Sequence, residues 1–552
     1  MTARAELRVG ERSRHVQPEQ LGSAYQRGWT AAYVAALLAV FLPLYLLTRS
    51  PILIGDGELF VDLARDADPT QLHYAEPSHF LQVPLAHGMW RGLGTLGLPV
   101  PLETIFLGLS LTGMLTAIIF VGLIAAEISR AKAAAWLAAV LFGTSLVGWT
   151  QWNGELYGLG LGFVTAGLFF TLRGRLWVAA ILWALAVLSH SEFALAAPAF
   201  LLAVWMVQPG TAKTGATLRT ALWLFVSAAT AVVVALLIGS WSLGKWSDIA
   251  SLGGWLWRSY EARQRDVSGP EVVRAIKGLV TAYTVAGHYW RDILTGRGQL
   301  SRPDFLLGSA VGFLLLLATG VFICAAAWRR QGLLFALAWL LPSHVLVNWW
   351  IFPTAEKYHA PALPGFILLV TGGLVHLAGR MPRRSRSLLY AGYAVACAAL
   401  NLFGAVLPMR AIGNDIIEAA HEIRTLNEER GGRVVFVACD NRRALAGTDI
   451  KFLRVRSIWA GTVAEVQDTV LSWTMARVRE GEEPYLLDRW CLPEEWNTRW
   501  SKERFDLFFL ERYFHLVPTR ITRVPLDQGA FTNPFSWMRS DIVRIEPRER
   551  SQ

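Results

Sequence analysis

Long stretches of this chain contain no Asp, Glu, Lys or Arg, and that restricts it to few folds. In a bilayer a run of this kind can cross as a helix, because a helix pairs its backbone N–H and C=O groups within the segment. A crossing needs roughly 20 apolar residues. Candidate spans are 30–48, 103–126, 133–149, 157–172, 176–190, 192–208, 220–239, 304–328, 333–352, 361–379 and 387–409. The 176–208 stretch has Glu192 as its only charged residue and is too long for one ordinary span. It therefore reads as two helices that turn at His190-Ser191-Glu192.

Of the 552 residues only 17% are charged, against about 25% in an ordinary soluble chain. The deficit is local, so the chain divides into a segment 1–29, an embedded region 30–409 and a region 410–552 of soluble composition. The formal charge of +10 does not indicate nucleic acid. Much of the basic excess lies in short connections between apolar runs, where it reports orientation. Arg4, Arg8, Arg12, Arg14 and Arg27 place the N-terminal segment in the cytoplasm. Every second connection is then basic: Arg130 and Lys132, Arg173 and Arg175, Lys213 and Arg219, Arg329 and Arg330, then Arg380, Arg383, Arg384 and Arg386. Short connections of the other parity hold almost none, Lys357 being the exception. About eleven transmembrane helices follow, with the C-terminal region outside, in a bacterial cytoplasmic membrane or its equivalent. The first run is full-length and no small-residue cleavage site follows it, so it reads as a retained anchor.

This topology collects the unusual polar residues on the non-cytoplasmic face. Asp56 and Glu58 stand in IGDGE, at the start of the large outer loop 49–102. The same loop carries His73, Glu76 and His79 in HYAEPSHF. Glu155 lies in the turn QWNGELYG, His190 and Glu192 in the HSE turn, and Lys357, Tyr358 and His359 in AEKYHAPALPG. Each has an ordinary reading. Asp56 can cap a helix that begins near Glu58, Glu155 and Glu192 can be solvated turn residues, and Lys357 can snorkel at a helix end. His344 and His376, within spans, read as structural histidines. Their coincidence on one face is what points to a site, since ionisable groups near hydrocarbon are costly and tend to mark function.

Sugar transfer from a lipid phosphate to a hydroxyl would use these types. It needs a base for the acceptor proton and a cation where the departing phosphate gathers charge. The amphiphilic donor also needs a groove at the interface. The amphipathic stretch SHFLQVPLAHGMWRGL and the outer loop 240–303, with Trp241, Trp246, Trp255, Trp257 and Trp290, are suited to shaping it.

Over residues 30–410 the layout resembles the GT-C superfamily of integral-membrane glycosyltransferases, which use polyprenyl- or dolichyl-phosphate sugars. GDGE looks like the acidic motif of the first outer loop. GDGE, WNGELYGL and the HSE turn look most like the branch related to protein O-mannosyltransferases. EKYHAPALPG is similar to the basic-Tyr-x-x-Pro element near the donor phosphate. The branch usually follows its acidic motif with a His-Pro-Pro-Gly-like segment, where this chain has HYAEPSHFLQVP. The resemblance implies Asp56 as general base with Glu58 in support, and Lys357, Tyr358 and His359 at the donor phosphate. Glu155, His190, Glu192, His73, Glu76 and His79 would position sugar or acceptor. It also implies inversion at the anomeric carbon. Some members need a divalent cation (Mg or Mn) and others need none, and no metal ligand is assigned here. The implied partners are a polyprenyl-phosphate-linked sugar, membrane lipid and a glycan, lipid or protein acceptor, with no nucleic acid. A transporter or flippase, another lipid-linked transferase and a scaffold with a working outer domain are the competing readings.

Region 410–552 reads as a small α/β domain. It has strands at 433–439, PYLLDRW and 540–546, and helices over 462–480 and 493–513. Asp440 and Asp488 stand at strand ends, where turn residues are common. Cys439 and Cys491 are either a disulfide or two thiols, whereas Cys324 and Cys397, inside apolar runs, read as small hydrophobes.

Overall fold

The apolar runs close into helices, and the breaks between those helices position the polar groups. The computed structural model describes residues 23–50, 57–66, 79–153, 157–207, 213–261, 272–294, 303–325, 330–348, 356–438, 450–455, 463–487, 490–491, 505–525 and 537–548. Two units are distinguished, 1–47 and 48–552. The first holds α1 (Ser23–Leu47), which contains Pro43 and stacks Trp29 on Tyr33 with ring centroids 5.3 Å apart.

The second unit opens with α2 (Gly57–Asp66) and α3 (Gln82–Thr95). There follow α4 (Leu102–Ser129), α5 (Lys132–Gly143), α6 (Leu146–Trp152), α7 (Tyr157–Leu172), α8 (Leu176–Ser189), α9 (Ala197–Val207) and α10 (Lys213–Ser242). Next come α11 (Ile249–Glu261), α12 (Val272–Tyr283), α13 (Ala286–Leu294), α14 (Pro303–Ala325), α15 (Arg330–Leu341), α16 (Leu363–Ala378), α17 (Arg383–Asn401) and α18 (Leu407–Glu429). Among the described residues, five helices are long and apolar enough to cross a membrane: Trp29–Leu47, Leu102–Ser129, Thr217–Ser242, Phe305–Ala325 and Arg383–Arg410. The pair α5 and α6, bent by 64°, makes a sixth if it is one span. The other expected spans fall on shorter apolar helices of 10–17 residues. This is the architecture of a multi-pass membrane protein.

Helices α4 and α7 approach closely through glycines. Gly158 and Gly162, four apart on α7, face Gly113 of α4. A Cβ added at Gly162 would lie 2.7 Å from the Gly113 carbonyl, and one at Gly113 would overlap the Gly158 carbonyl. Apolar side chains gain little from leaving lipid for a helix interface, so backbone approach of this kind holds such pairs together. Gly113→Leu is expected to destabilise the bundle by about 3 kcal/mol or more, through overpacking. Gly108→Leu, on the same helix with open space at its Cβ, is the control and should change little. Thermal unfolding in nanodiscs measures both, and equal midpoints would show that this contact contributes nothing.

Helices α2 and α3 share a hydrophobic core with α4. Phe60, Val61 and Leu63 of α2, with Val83 and Ala86 of α3, pack on Leu102, Ile105 and Phe106 of α4. Val232 and Leu236 of α10 close that cluster, and Arg65 pairs with Glu103 at its edge. The stretch 241–303 is not only an interfacial surface as its pattern suggests. Trp241 and Trp257 are exposed, but residues 281–289, across the junction of α12 and α13, are all buried.

One side chain ties together two of the helix breaks. Asn401, buried at the end of α17, donates from Nδ2 to the carbonyls of Thr144 (2.9 Å) and Tyr283 (3.0 Å). Its Oδ1 accepts the Val285 N–H at 2.8 Å. These backbone groups are freed where α5 gives way to α6 and α12 to α13, so one carboxamide pairs what both breaks expose. Beside it, the Tyr283 hydroxyl donates to the Tyr393 hydroxyl at 3.0 Å and lies 3.4 Å from Cys397 Sγ, so the buried Cys397 is not a purely apolar filler. Cys324 is exposed.

A π-helical turn, Leu402–Val406, carries α17 into α18 and on to a sheet. Its strands are β1 (Val434–Ala438), β2 (Phe452–Arg454) and β3 (Glu483–Leu486), then β6 (Phe514–Pro525) and β7 (Trp537–Pro547), in the order β2-β1-β3-β7-β6. β1 runs parallel to β2 and β3, whereas β7 is antiparallel to β3 and β6. A short pair, β4 (Trp490–Cys491) and β5 (Phe505–Asp506), lies apart. Side chains alternate between faces as the pleat requires. Val434, Phe436, Tyr485 and Ile542 meet Ala419, Ile423 and Leu426 of α18. Val437, Leu486, Val543 and Ile545 meet Val466 and Val470 of α19 (Val463–Arg479). At its rim, burial pushes the Glu482 carboxyl up, but hydrogen bonds from Lys451 and Arg477 outweigh this and hold it below the ordinary range.

The helix expected over 493–513 is corrected in its described part. Residues 505–506 are strand and Leu507–Arg512 a 3-10 turn, which leads directly into β6. Leu507 and Leu510 are buried in the sheet core at a three-residue spacing, which a helix pattern imitates. Asp440, Asp488 and Cys439 lie outside the described residues, as does the Cys491 side chain.

Candidate active site

The site is assembled where four helix breaks meet. Chain entering the GDGE segment is held against the end of α6. The Trp149 indole donates to Thr48 Oγ1 at 3.3 Å, and the Ser50 N–H donates to Asn153 Oδ1 at 3.2 Å. Asn153 is itself fixed, with Nδ2 on the Trp149 carbonyl at 3.2 Å. Helix α6 starts at Ser145, whose Oγ accepts the Gly148 N–H at 3.0 Å in an N-cap. Its last turn supplies Gln151, whose Oε1 accepts the Tyr157 N–H at 3.0 Å. This bond joins the described residues on the two sides of Glu155.

Tyr157 is the centre of the cluster. Its ring centroid lies 4.1 Å from that of His190 and 6.4 Å from that of Tyr358, the latter edge to face. Its hydroxyl donates to Glu192 Oε1 at 3.2 Å. His190 ends α8 in extended backbone, and its Nδ1 accepts the Glu192 N–H at 3.3 Å. That bond assigns the proton of the neutral imidazole to Nε2. The His79 ring centroid lies 4.5 Å from that of His190 and 5.8 Å from that of Phe60 of α2. The Leu81 N–H donates to the Leu188 carbonyl at 2.9 Å, which pins the start of α3 to the end of α8.

The EKYH segment forms a 3-10 turn, Glu356–His359, in contact with α6 and α12. His359 is buried with its ring centroid 5.4 Å from that of His344. His344 lies in a π-helical turn, Pro342–Asn348, which extends α15 and touches both the EKYH turn and the 3-10 turn Ser191–Ala196. π-turns inside helices occur frequently at functional sites.

Of the residues expected at a site, the structure brings together His79, His190, Glu192, Tyr358 and His359. Asp56, Glu155, His73 and Glu76 lie outside the described residues, as do the side chains of Glu58 and Lys357. Their described neighbours in the chain, Ser50, Asn153, Tyr157, Tyr358 and His79, border this one cluster. Sequence reasoning did not select Tyr157, Gln151 or Asn153, and it took His344 for a structural residue. Tyr157, Gln151 and Asn153 all flank Glu155, but nothing local marks them. Among the described residues, no three His, Cys, Asp or Glu side chains gather in a group able to hold a metal ion.

No protein-family model matches the chain, and no curated protein matches it. Solved structures do. ArnT from Cupriavidus metallidurans bound to undecaprenyl phosphate aligns over 94% of this chain and 98% of its own, with a TM-score of 0.51 at 13% identity. The apo state of the same protein aligns over the same shares at a TM-score of 0.49 and 13% identity. At this identity the likeness concerns the fold. Over nearly its whole length the chain shares the fold of ArnT.

Proposed function

We propose that the protein is an inverting glycosyltransferase, moving a sugar from a polyprenyl-phosphate donor to a hydroxyl of a glycan, lipid or protein at the non-cytoplasmic membrane face. The observation that carries this reading is the convergence of His79, Tyr157, His190, Glu192, Tyr358 and His359, from separate helix ends, on one cluster. The ArnT structure that shares the fold is bound to undecaprenyl phosphate, which supports the donor class.

In this reading Asp56, supported by Glu58, takes the proton of the acceptor hydroxyl as its oxygen attacks the anomeric carbon. The bond from that carbon to the phosphate oxygen breaks, and its electron pair leaves on the polyprenyl phosphate. Lys357, Tyr358 and His359 meet the growing phosphate charge, the kind of preorganised stabilisation that contributes most to such reactions. Glu155, His190, Glu192, His73, Glu76 and His79 orient the sugar and acceptor. A single displacement from the face opposite the phosphate inverts the anomeric centre. The C-terminal domain lies on the same outer side.

The test is turnover of radiolabelled undecaprenyl-phosphate sugars by the purified protein, with crude membranes as the acceptor source. Release of undecaprenyl phosphate from one donor is expected, falling about 100-fold in Lys357→Ala. No release from any donor would overturn the reading.

A further inference from the structure

We infer that Tyr157 is a positioning residue of the candidate site. Its hydroxyl sets the Glu192 carboxylate and its ring braces Tyr358, so one buried side chain fixes the turn at the sugar relative to the turn at the donor phosphate. The inference rests on the transferase reading and gives Tyr157 a role which that reading leaves open. Burial separates the groups that can meet a ligand from the group behind them. Tyr157 is 3% exposed and His190 4%, whereas Glu192 and Tyr358 are only half-buried. A ligand therefore meets Glu192 and Tyr358, and Tyr157 acts through both.

Both contacts are directed. The hydroxyl donates to Glu192 Oε1 at 3.2 Å, and the ring stands edge to face with Tyr358 at a centroid distance of 6.4 Å. The two partners lie on short 3-10 turns, Ser191–Ala196 and Glu356–His359, whose hydrogen-bond geometry is poorer than that of an α-helix. Tyr157 opens α7, where the backbone is locked. Its N–H is held by Gln151 Oε1 at 3.0 Å. A Cβ added at the next residue, Gly158, would lie 3.1 Å from the Ser110 carbonyl of α4 and 3.3 Å from the Gln151 carbonyl of α6. The start of α7 thus has little room to shift, and two short turns are set against one fixed post. A hydrogen bond to a carboxylate is stronger than one between neutral groups, so the phenol also holds the rotation of the carboxylate that the transferase reading places at the sugar.

Full-length protein in nanodiscs, with radiolabelled undecaprenyl-phosphate sugars as donors and crude membranes as acceptor, tests the role through a cycle of variants. Tyr157→Phe keeps the ring and its packing and removes only the hydroxyl. It is expected to lower kcat about tenfold, the scale of one hydrogen bond to a charged group. The donor KM and the affinity for undecaprenyl phosphate should stay unchanged. The thermal midpoint should hold too, since water reaches the half-buried carboxylate. Glu192→Ala should lower kcat at least as much. Adding Tyr157→Phe to Glu192→Ala should then cost nothing further, because a residue that acts through another is not additive with it. Tyr157→Leu, which removes the ring as well, should also weaken undecaprenyl phosphate about fivefold, as Tyr358 loses its edge-to-face partner. A purely structural Tyr157 would give losses that multiply in the double variant and a midpoint that falls in step with turnover. Either result, or full activity in Tyr157→Phe, would overturn the inference while wild-type turnover left the transferase reading standing. A wild type that releases undecaprenyl phosphate from no donor would remove that reading, and this inference with it.

Discussion

Asp56→Asn is expected to lower sugar transfer by about 1,000-fold while leaving the protein folded and able to bind undecaprenyl phosphate. The carboxamide is nearly isosteric with the carboxylate but cannot take a proton, and positioned general bases contribute roughly 100- to 10,000-fold. The middle of that range is expected here because a sugar hydroxyl is a very weak acid and has no other base assigned to it. Glu58→Gln, which removes only support, should cost about tenfold. The local frame makes the experiment clean. Thr48 and Ser50, just before the acidic motif, are held to Trp149 and Asn153 by hydrogen bonds that the substitution does not touch. Single-turnover release of undecaprenyl phosphate, read beside the thermal midpoint, measures the effect. Full activity in Asp56→Asn would assign the base elsewhere, and loss of lipid binding in step with turnover would make Asp56 a binding residue instead.

The largest effect on stability is expected from Asn401→Leu. The substitution keeps the number and branching of the side-chain heavy atoms but removes three buried hydrogen bonds, with Thr144, Tyr283 and Val285. A buried backbone group left unpaired costs about 1–3 kcal/mol, so the three together cost roughly 3–9 kcal/mol, with the lower part of the range applying if the carbonyls find other partners. Activity should fall with stability, because the breaks that Asn401 joins carry Gln151 on one side and lead from α12, which touches the EKYH turn, on the other. Thermal unfolding in nanodiscs tests this. A midpoint unchanged by Asn401→Leu would show that water already serves those backbone groups.

The positions of the apolar helices were legible in the sequence, because burial in lipid is imposed residue by residue and charge is excluded locally. The turn at His190-Ser191-Glu192 was legible for the same reason, a single charged residue within a run too long for one span. The structure ends α8 at Ser189 and begins a 3-10 turn at Ser191. Strands β1 and β3 were visible as short apolar runs. β6 was not, since its Thr and Arg residues interrupt the apolar pattern and its pairing with β7 is a long-range choice. The same limit governs the site. That His79, Glu192, Tyr358 and His359 lie near helix ends is a local property of the chain, and their residue types suggested a chemistry. That Tyr157 bonds Glu192, that a π-turn sets His344 beside His359, and that Asn401 joins two distant breaks were decided only by tertiary packing. Each depends on which helix end meets which, and hydropathy, a property of one segment at a time, carries no term for that.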